Sequence, residues 1–300
     1  MNLTRPREKG LSNIYKVKEF IEREQMRVSV RQAYYYLLTQ GLIKESESTY
    51  QTLDGHLVWA RQIEIIPWDY IDDGSRETYR LEVADNIKDH LRDQIKNYNI
   101  EIFKEGSQDN FILIFLEKDA LKHPVWEAVG GLQSPIVVSR GYMSWGYFYH
   151  EIIKNYVDQY PPDVFNWVVL ILSDWDKEGE EMVDLLKEMF NFFKIQIKHL
   201  EKIALTEDQL NDKNTYPNLR KLTLELKKGE RSRAKYKKWI DAHGLSYSEL
   251  DSFTPTQLRD LVGKNVYKYM NVDSVRIQNK RESLEKKLAY EHLESLDLDE

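Results

Sequence analysis

The sequence predicts an α/β protein whose mainly parallel sheet is covered by helices on both faces, with a small helical module before it and charged helices after it. Two observations carry this. From about residue 100, short runs that are apolar throughout alternate with helix-like stretches, as buried parallel strands and their crossovers do. The residues on either side of that region, before about 100 and after about 205, show helical patterns with few strand-like runs. The division expected is therefore 1–100 and 101–300.

Within the first part, residues 13–24 place Ile14, Val17 and Ile21 at helical spacing. Ser29 is positioned to cap a second helix over 30–40 that Gly41 ends. Residues 46–62 read as a third helix, with Leu53, Leu57, Val58 and Ala60 on its apolar side. Residues 63–76 read as short extended segments around an Asp-Asp-Gly-Ser turn. Three helices and a ribbon are the order of a winged-helix module, which places one helix in the DNA major groove. They are also the order of other small helical domains. Residues 77–95 read as a helix leading into the second part. There the strand candidates are Phe111–Leu116, Pro135–Ser139, Phe165–Ser173 and Lys194–His199, with helices over 119–128, 145–159 and 178–193 between them.

Composition narrows the function classes. The chain has 300 residues, 41% hydrophobic and 31% charged, a soluble globular balance. Its longest apolar runs fall far short of the ~20 residues that cross a bilayer, so no membrane association is expected. No apolar stretch follows the charges at the start, and there are no cysteines, which fits a cytoplasmic setting and excludes thiolate metal sites. The formal net charge of −7 hides an uneven distribution. Residues 218–238 are strongly basic and include Lys227, Lys228, Arg231, Arg233 and Lys235, whereas residues 291–300 carry acids and no Lys or Arg. Such a basic run is either a solvated helix face or a patch that meets phosphates.

Ligands of open parallel sheets gather beyond the carboxyl ends of the strands. Here one apolar run ends at Glu117 and another at Asp174-Trp175-Asp176. In extended chain, positions i and i+2 point the same way, so Asp174 and Asp176 are expected to share a target with Glu117. Clustered carboxylates repel one another unless a cation lies among them, and hard oxygens select Mg²⁺. The simpler reading is that strand-end acids cap the following helices. The pattern Glu117-Lys118 with Asp174-x-Asp176-x-x-Gly179 resembles the Toprim domain of topoisomerases, primases and related nucleases, over roughly residues 105–205.

A second constellation lies on the helix over 30–40. Tyr34, Tyr35 and Tyr36 are consecutive, and helical residues are ~100° apart, so the three cannot all face one core. At least one is expected to point outward or into a groove. Arg31 lies one turn before Tyr35. A guanidinium there would favour phenolate and hold a phosphate, a sensible device for attacking a phosphodiester, although ordinary packing also explains tyrosines.

Arg31-x-x-Tyr34-Tyr35 ahead of the acid pattern resembles topoisomerase VI A subunits and the meiotic double-strand-break transesterase. Val137-Val138-Ser139-Arg140-Gly141-Tyr142, Lys202-Ile203-Ala204-Leu205-Thr206, and Glu249-Leu250-Asp251-Ser252-Phe253-Thr254-Pro255 are similar to further segments of that family. Lys177 stands where the family has proline after its Asp-x-Asp, and Arg140-Gly141 lacks the usual Pro-Asp. The resemblance implies a winged-helix domain, then a Toprim domain with C-terminal helices. It implies a homodimer that cleaves double-stranded DNA, with the tyrosine of one protomer meeting the metal site of the other. It implies Tyr35 as nucleophile on a 5′ phosphate, Mg²⁺ on Glu117, Asp174 and Asp176, and phosphate contacts from Arg31 and Arg140. Only about a dozen residues precede the first helix and no Lys-Ser/Thr phosphate loop is present, so ATP and an ATPase B-type subunit are not expected. A minimal A-type protein of the kind carried on mobile elements is the expectation. A Toprim nuclease using metal-bound water and a non-catalytic winged-helix protein of DNA binding or plasmid maintenance are the alternatives.

Overall fold

A computed structural model describes residues 5–72, 84–104, 106–141, 143–225 and 230–296, with the backbone alone for 230–234. The first part is helical. Helices α1 (Glu8–Glu24), α2 (Val30–Thr39) and α3 (Glu47–Gln62) enclose a core of Ile14, Val17, Phe20, Ala33, Leu37, Leu53 and Leu57. Their starts follow from the sequence. The Ser29 hydroxyl accepts from Gln32 N and the Gln32 side chain returns to Ser29 N, a complete capping box, while Ser46 accepts from Thr49 N. Gly41, at φ +69°, supplies the left-handed residue just beyond α2.

The expected ribbon takes another form. After a short turn at Trp68–Tyr70, β2 (Ile71–Asp72) pairs in parallel with β1 (Val28–Ser29), the residues that lead into α2. The rest of the Asp-Asp-Gly-Ser turn lies outside the described residues, as do residues 77–83 of the next predicted helix. That helix, α4, runs over Ile87–Asn97 and packs against the long C-terminal helix α11 (Val272–Ser295), where Arg92 binds Glu294 at 2.8 Å.

The second part is α/β. In chain order come β3 (Asn110–Leu116), α5 (Lys122–Val129), β4 (Ile136–Val138), α6 (Trp145–Phe148, continued as a π-helical stretch to Val157), β5 (Asn166–Leu172), α7 (Lys177–Phe192) and β6 (Ile197–Ala204). The four strands form one parallel sheet in the order β4-β3-β5-β6. The central pair, β3 and β5, is buried from Phe111 to Leu116 and from Trp167 to Leu172, which explains their unbroken apolar runs. The fourth strand starts later than its pattern suggested. Lys194 adopts φ +58° beyond the end of α7, so residues 194–196 make the turn.

The order places a topological switch between β3 and β5. The chain leaves β3 toward β4 on one side and later leaves β5 toward β6 on the other, opening a crevice at the carboxyl ends of the central pair. The C-terminal part adds α8 (Glu207–Asn211), a two-stranded antiparallel pairing of β7 (Leu222–Thr223) with β8 (Ser246–Tyr247) around α9 (Glu230–His243), and α10 (Pro255–Tyr267). The β7–β8 pair had no counterpart in the sequence pattern. Just after β8, Ser248 exchanges backbone hydrogen bonds with Trp175 at 2.9 and 3.0 Å, tying this segment to the end of β5. Among the described residues no helix is long and apolar enough to cross a membrane.

Gly179, in the first turn of α7, permits the close approach of that helix to the β5 end. A Cβ at this position would lie 2.2 Å from the backbone oxygen of Asp174. Gly179→Ala is therefore expected to destabilise the fold by roughly 1–3 kcal/mol. The check is a urea unfolding curve, with a lower midpoint and an unchanged slope. A wild-type midpoint would show that the turn yields freely.

Candidate active site

The crevice between β3 and β5 holds a network centred on Lys118. Its ammonium lies 2.8 Å from Asp174 Oδ2, 3.6 Å from Asp251 Oδ2 and 3.7 Å from Glu249 Oε2. Asp174 is fixed from both ends. Its Oδ1 accepts from Leu250 N at 2.8 Å, and its backbone N–H donates to Glu117 Oε2 at 2.9 Å. Lys202 of β6 donates to the Asp174 carbonyl at 2.7 Å and to Glu180 at 2.8 Å, fastening the next strand to the same turn.

The three predicted carboxylates have different surroundings. Burial pushes the Glu117 carboxyl up to about 7, and the Asp174 charge adds to this. Asp176 does not simply share the aim of Asp174. The strand ends at Leu172, so the i, i+2 rule of extended chain does not reach it. Instead Asp176 Oδ1 accepts from Gly179 N at 2.7 Å and caps α7, the simpler of the two readings of strand-end acids. Burial still raises its carboxyl to about 6. Among the described residues, no three His, Asp or Glu side chains converge as a ready-made metal cage. Glu117 and Asp174 nevertheless fit Mg²⁺, which is commonly held by one or two carboxylates together with waters and substrate phosphates. Burial first and the Asp174 charge second raise the Glu117 carboxyl, although Lys118 stands beside the pair, and a further cation there would oppose both effects.

The three tyrosines do take different surroundings, but none is exposed: Tyr34 and Tyr35 are buried at the edge of a cavity and Tyr36 is half-buried. Tyr36 stacks on Phe20 with centroids 4.3 Å apart. The Tyr34 hydroxyl accepts from Ser46 N at 2.9 Å and so braces the start of α3. Tyr35 is 6% exposed and lines a cavity of about 500 Å³ with Arg31, Glu45, Tyr50, Tyr247 and Glu249. Arg31, whose charge Tyr35 also feels, is not reserved for the phenol. Its guanidinium binds Glu249 at 2.7 Å and lies over the Tyr50 ring at 5.6 Å. Burial raises the Tyr35 phenol above its ordinary range, and the negative charge of Glu249 pushes the same way. In this state Tyr35 is a neutral phenol rather than a phenolate.

Arg31, Glu249, Lys118 and Asp174 thus form one continuous chain of ion pairs within a single polypeptide. The turn at Leu250–Ser252 packs against α2, which holds the tyrosine helix at the carboxyl edge of the sheet. Glu249 and Asp251 entered the sequence reading only as part of a family-like segment. No period-two signal could have marked them, because Asp251 lies in the turn at Leu250–Ser252, and it is this turn that brings both acids to Lys118. Arg140 stands apart. It follows β4 with φ +51° and binds Asp119 at 2.9 Å beside a second cavity with Lys122 and Tyr147. Lys235 binds Glu178 at 3.0 Å, next to the Asp176 cap. Lys227 and Lys228 lie outside the described residues, as do the side chains of Arg231 and Arg233.

Comparison with known protein families, curated proteins and solved structures gives no match for this chain.

Asp251 offers a direct test of the network. It is 1% exposed, and neither of its oxygens accepts a hydrogen bond among the described residues. Burial raises its carboxyl to about 6, only partly opposed by Lys118. The unfolded chain gives up this proton nearer pH 4, so the folded state binds more protons between about pH 4 and 6. By linkage, the contribution of Asp251 to stability falls as pH rises through that window and stays low above it. Asp251→Asn should therefore match wild type near pH 4 and exceed it by on the order of 1–3 kcal/mol at pH 7.5 in EDTA. Denaturant curves at the two pH values check this, and a variant less stable at pH 7.5 would mean that the Lys118 pairing outweighs the burial cost.

Proposed function

We propose that this chain is a Mg²⁺-dependent DNA-cleaving transesterase of the topoisomerase VI A-subunit kind, with α1 to β2 as a winged-helix module and the β3–β6 sheet as a Toprim domain. The observation that carries this reading is the ion-pair chain from Arg31 through Glu249 and Lys118 to Asp174. It joins the tyrosine helix to the strand-end acids of the same polypeptide, so a nucleophile and a phosphate-handling centre share one edge in cis, whereas the family resemblance has them meet across a dimer.

In this reading Tyr35 Oη attacks a backbone phosphorus of double-stranded DNA. The new O–P bond forms as the P–O3′ bond breaks, and the 5′ end stays on the protein. Arg31 exchanges its carboxylate partner for a phosphate oxygen, for which its planar fork is well suited. Lys118 keeps Asp174 and its neighbours in place while the charge at the crevice changes. Glu117 and Asp174, with Asp176 beside them, would hold Mg²⁺, which supplies positive charge at the phosphate. The basic run over 218–238 and Arg140 would track the DNA backbone, and a homodimer would cut both strands. Burial of the Tyr35 phenol is the observation that favours the hydrolytic alternative, in which the tyrosine only packs.

A denaturing trap for covalent protein–DNA adducts separates these readings. With supercoiled plasmid and Mg²⁺, wild type should form adducts, and Tyr35→Phe should lose at least ~10⁴-fold of that activity while still binding DNA. Tyr34→Phe should leave most adduct formation in place, since its hydroxyl is engaged with Ser46. Excess EDTA should stop the reaction. Undiminished cleavage by Tyr35→Phe would select the metal-dependent nuclease instead. Plasmid affinity measured from 50 to 200 mM salt should fall steeply, by at least ~10²-fold, if several basic side chains meet phosphates.

A further inference from the structure

The transesterase reading leaves one proton without a destination. Tyr35 is a buried neutral phenol, and its attack on phosphorus requires the O–H bond to break. A group within reach of the phenol must receive that proton.

We infer that Glu249 is this base, and that Arg31 holds it until a DNA phosphate draws Arg31 away. This rests on the transesterase reading and deepens it.

Among the described carboxylates that line the cavity, Glu249 is the one bound to the arginine of the tyrosine helix. Glu45 faces Tyr247, whose hydroxyl lies 3.4 Å from it. Glu249 lines the same cavity as Tyr35, binds Arg31, which lies one helical turn from that tyrosine, at 2.7 Å, and is only 16% exposed. Its position survives the loss of Arg31, because Lys118 stands 3.7 Å from the same oxygen and the neighbouring Leu250 N–H is fixed to Asp174 at 2.8 Å. The base is thus anchored to the sheet side of the site, whereas its partner Arg31 is on the tyrosine side.

The exchange couples binding to chemistry. While no phosphate is bound, the Arg31–Glu249 pair occupies the carboxylate and leaves Tyr35 protonated. A phosphate that takes Arg31 frees the carboxylate beside the phenol. The Tyr35 proton then passes to Glu249 as the Oη–P bond forms. The P–O3′ bond breaks with its electron pair on the 3′ oxygen, which takes a proton from solvent water. Religation runs the same transfers backward, with Glu249 returning the proton to Tyr35.

A structural role for Glu249, as a mere dock for α2, makes a different prediction. The experiment uses full-length protein, supercoiled plasmid and Mg²⁺, and follows single-turnover adduct formation by denaturing quench. Glu249→Gln should slow adduct formation by roughly 10²–10⁴-fold, with plasmid binding within a few-fold of wild type. Placing a fluorinated tyrosine at position 35 makes the phenol more acidic and lessens its need for a base. It should restore at least ~10-fold to Glu249→Gln and accelerate the wild type much less. A lost dock would not respond to phenol acidity. Should the Gln variant fail to fold, Glu249→Asp carries the same comparison, with a displaced carboxylate in place of a missing one. The inference is overturned if Glu249→Gln forms adducts at the wild-type rate, or if the folded variant gains nothing from the fluorinated tyrosine. If wild type itself forms no adduct while it cleaves DNA, the transesterase reading has failed first, and a wild-type adduct with an indifferent Glu249→Gln fails the base alone.

Discussion

An ammonium group sunk among carboxylates organises this molecule. Taking a charge out of water is costly, and taking several like charges out together is worse, because each raises the energy of the next. Lys118 meets Asp174, Glu249 and Asp251 at 2.8 to 3.7 Å, and its positive charge offsets part of the repulsion among them. The compensation is incomplete. Glu117, Asp176 and Asp251 all keep carboxyls well above their ordinary range, chiefly through burial. A site in this condition is electrostatically unsatisfied, and it favours whatever brings further positive charge to the crevice.

The backbone explains why Lys118 can serve so many partners. It follows the central strand β3 directly, at a switch point where the next strands diverge to either side. One neighbouring strand, β5, brings Asp174, and the backbone pairing of Trp175 with Ser248 brings the C-terminal segment with Glu249 and Asp251. Glu249 then reaches across to Arg31, so the helical part is joined to the sheet by a salt bridge at one edge of the crevice. The two hydrophobic cores remain distinct. Leu222 of β7 packs against the helical one, but the Arg31–Glu249 contact is polar, which allows an anion to compete for it in a way that it could not compete for an apolar contact.

Much of this was legible in the sequence. The uniformly apolar runs at 111–116 and 165–173 correspond to the two buried strands, and Ser29 and Ser46 mark helix starts that depend only on local hydrogen bonding. The acids at the strand ends followed from the same patterns. The partnerships did not. Arg31 and Tyr35 are neighbours on a helix, and helical spacing alone suggests that they act on each other. A carboxylate more than two hundred positions away takes the guanidinium instead. Asp176 was read by the geometry of a strand that had already ended two residues before Asp174. The β7–β8 pair is too short to leave a periodic signal, yet it directs Glu249 and Asp251 into the crevice.

The Trp175–Ser248 pairing has a consequence for how the site comes into being. The sheet strands are complete by Ala204, but Lys118 acquires two of its three acidic partners only from residues 249 and 251. Bringing such distant segments together costs chain entropy that nearer contacts do not, so this closure falls late in assembly. On a ribosome, the strands and the tyrosine helix emerge well before the segment that joins them. The chain therefore acquires its tertiary framework first and its reactive centre last, and a truncated translation product would carry the parts of the site without its wiring.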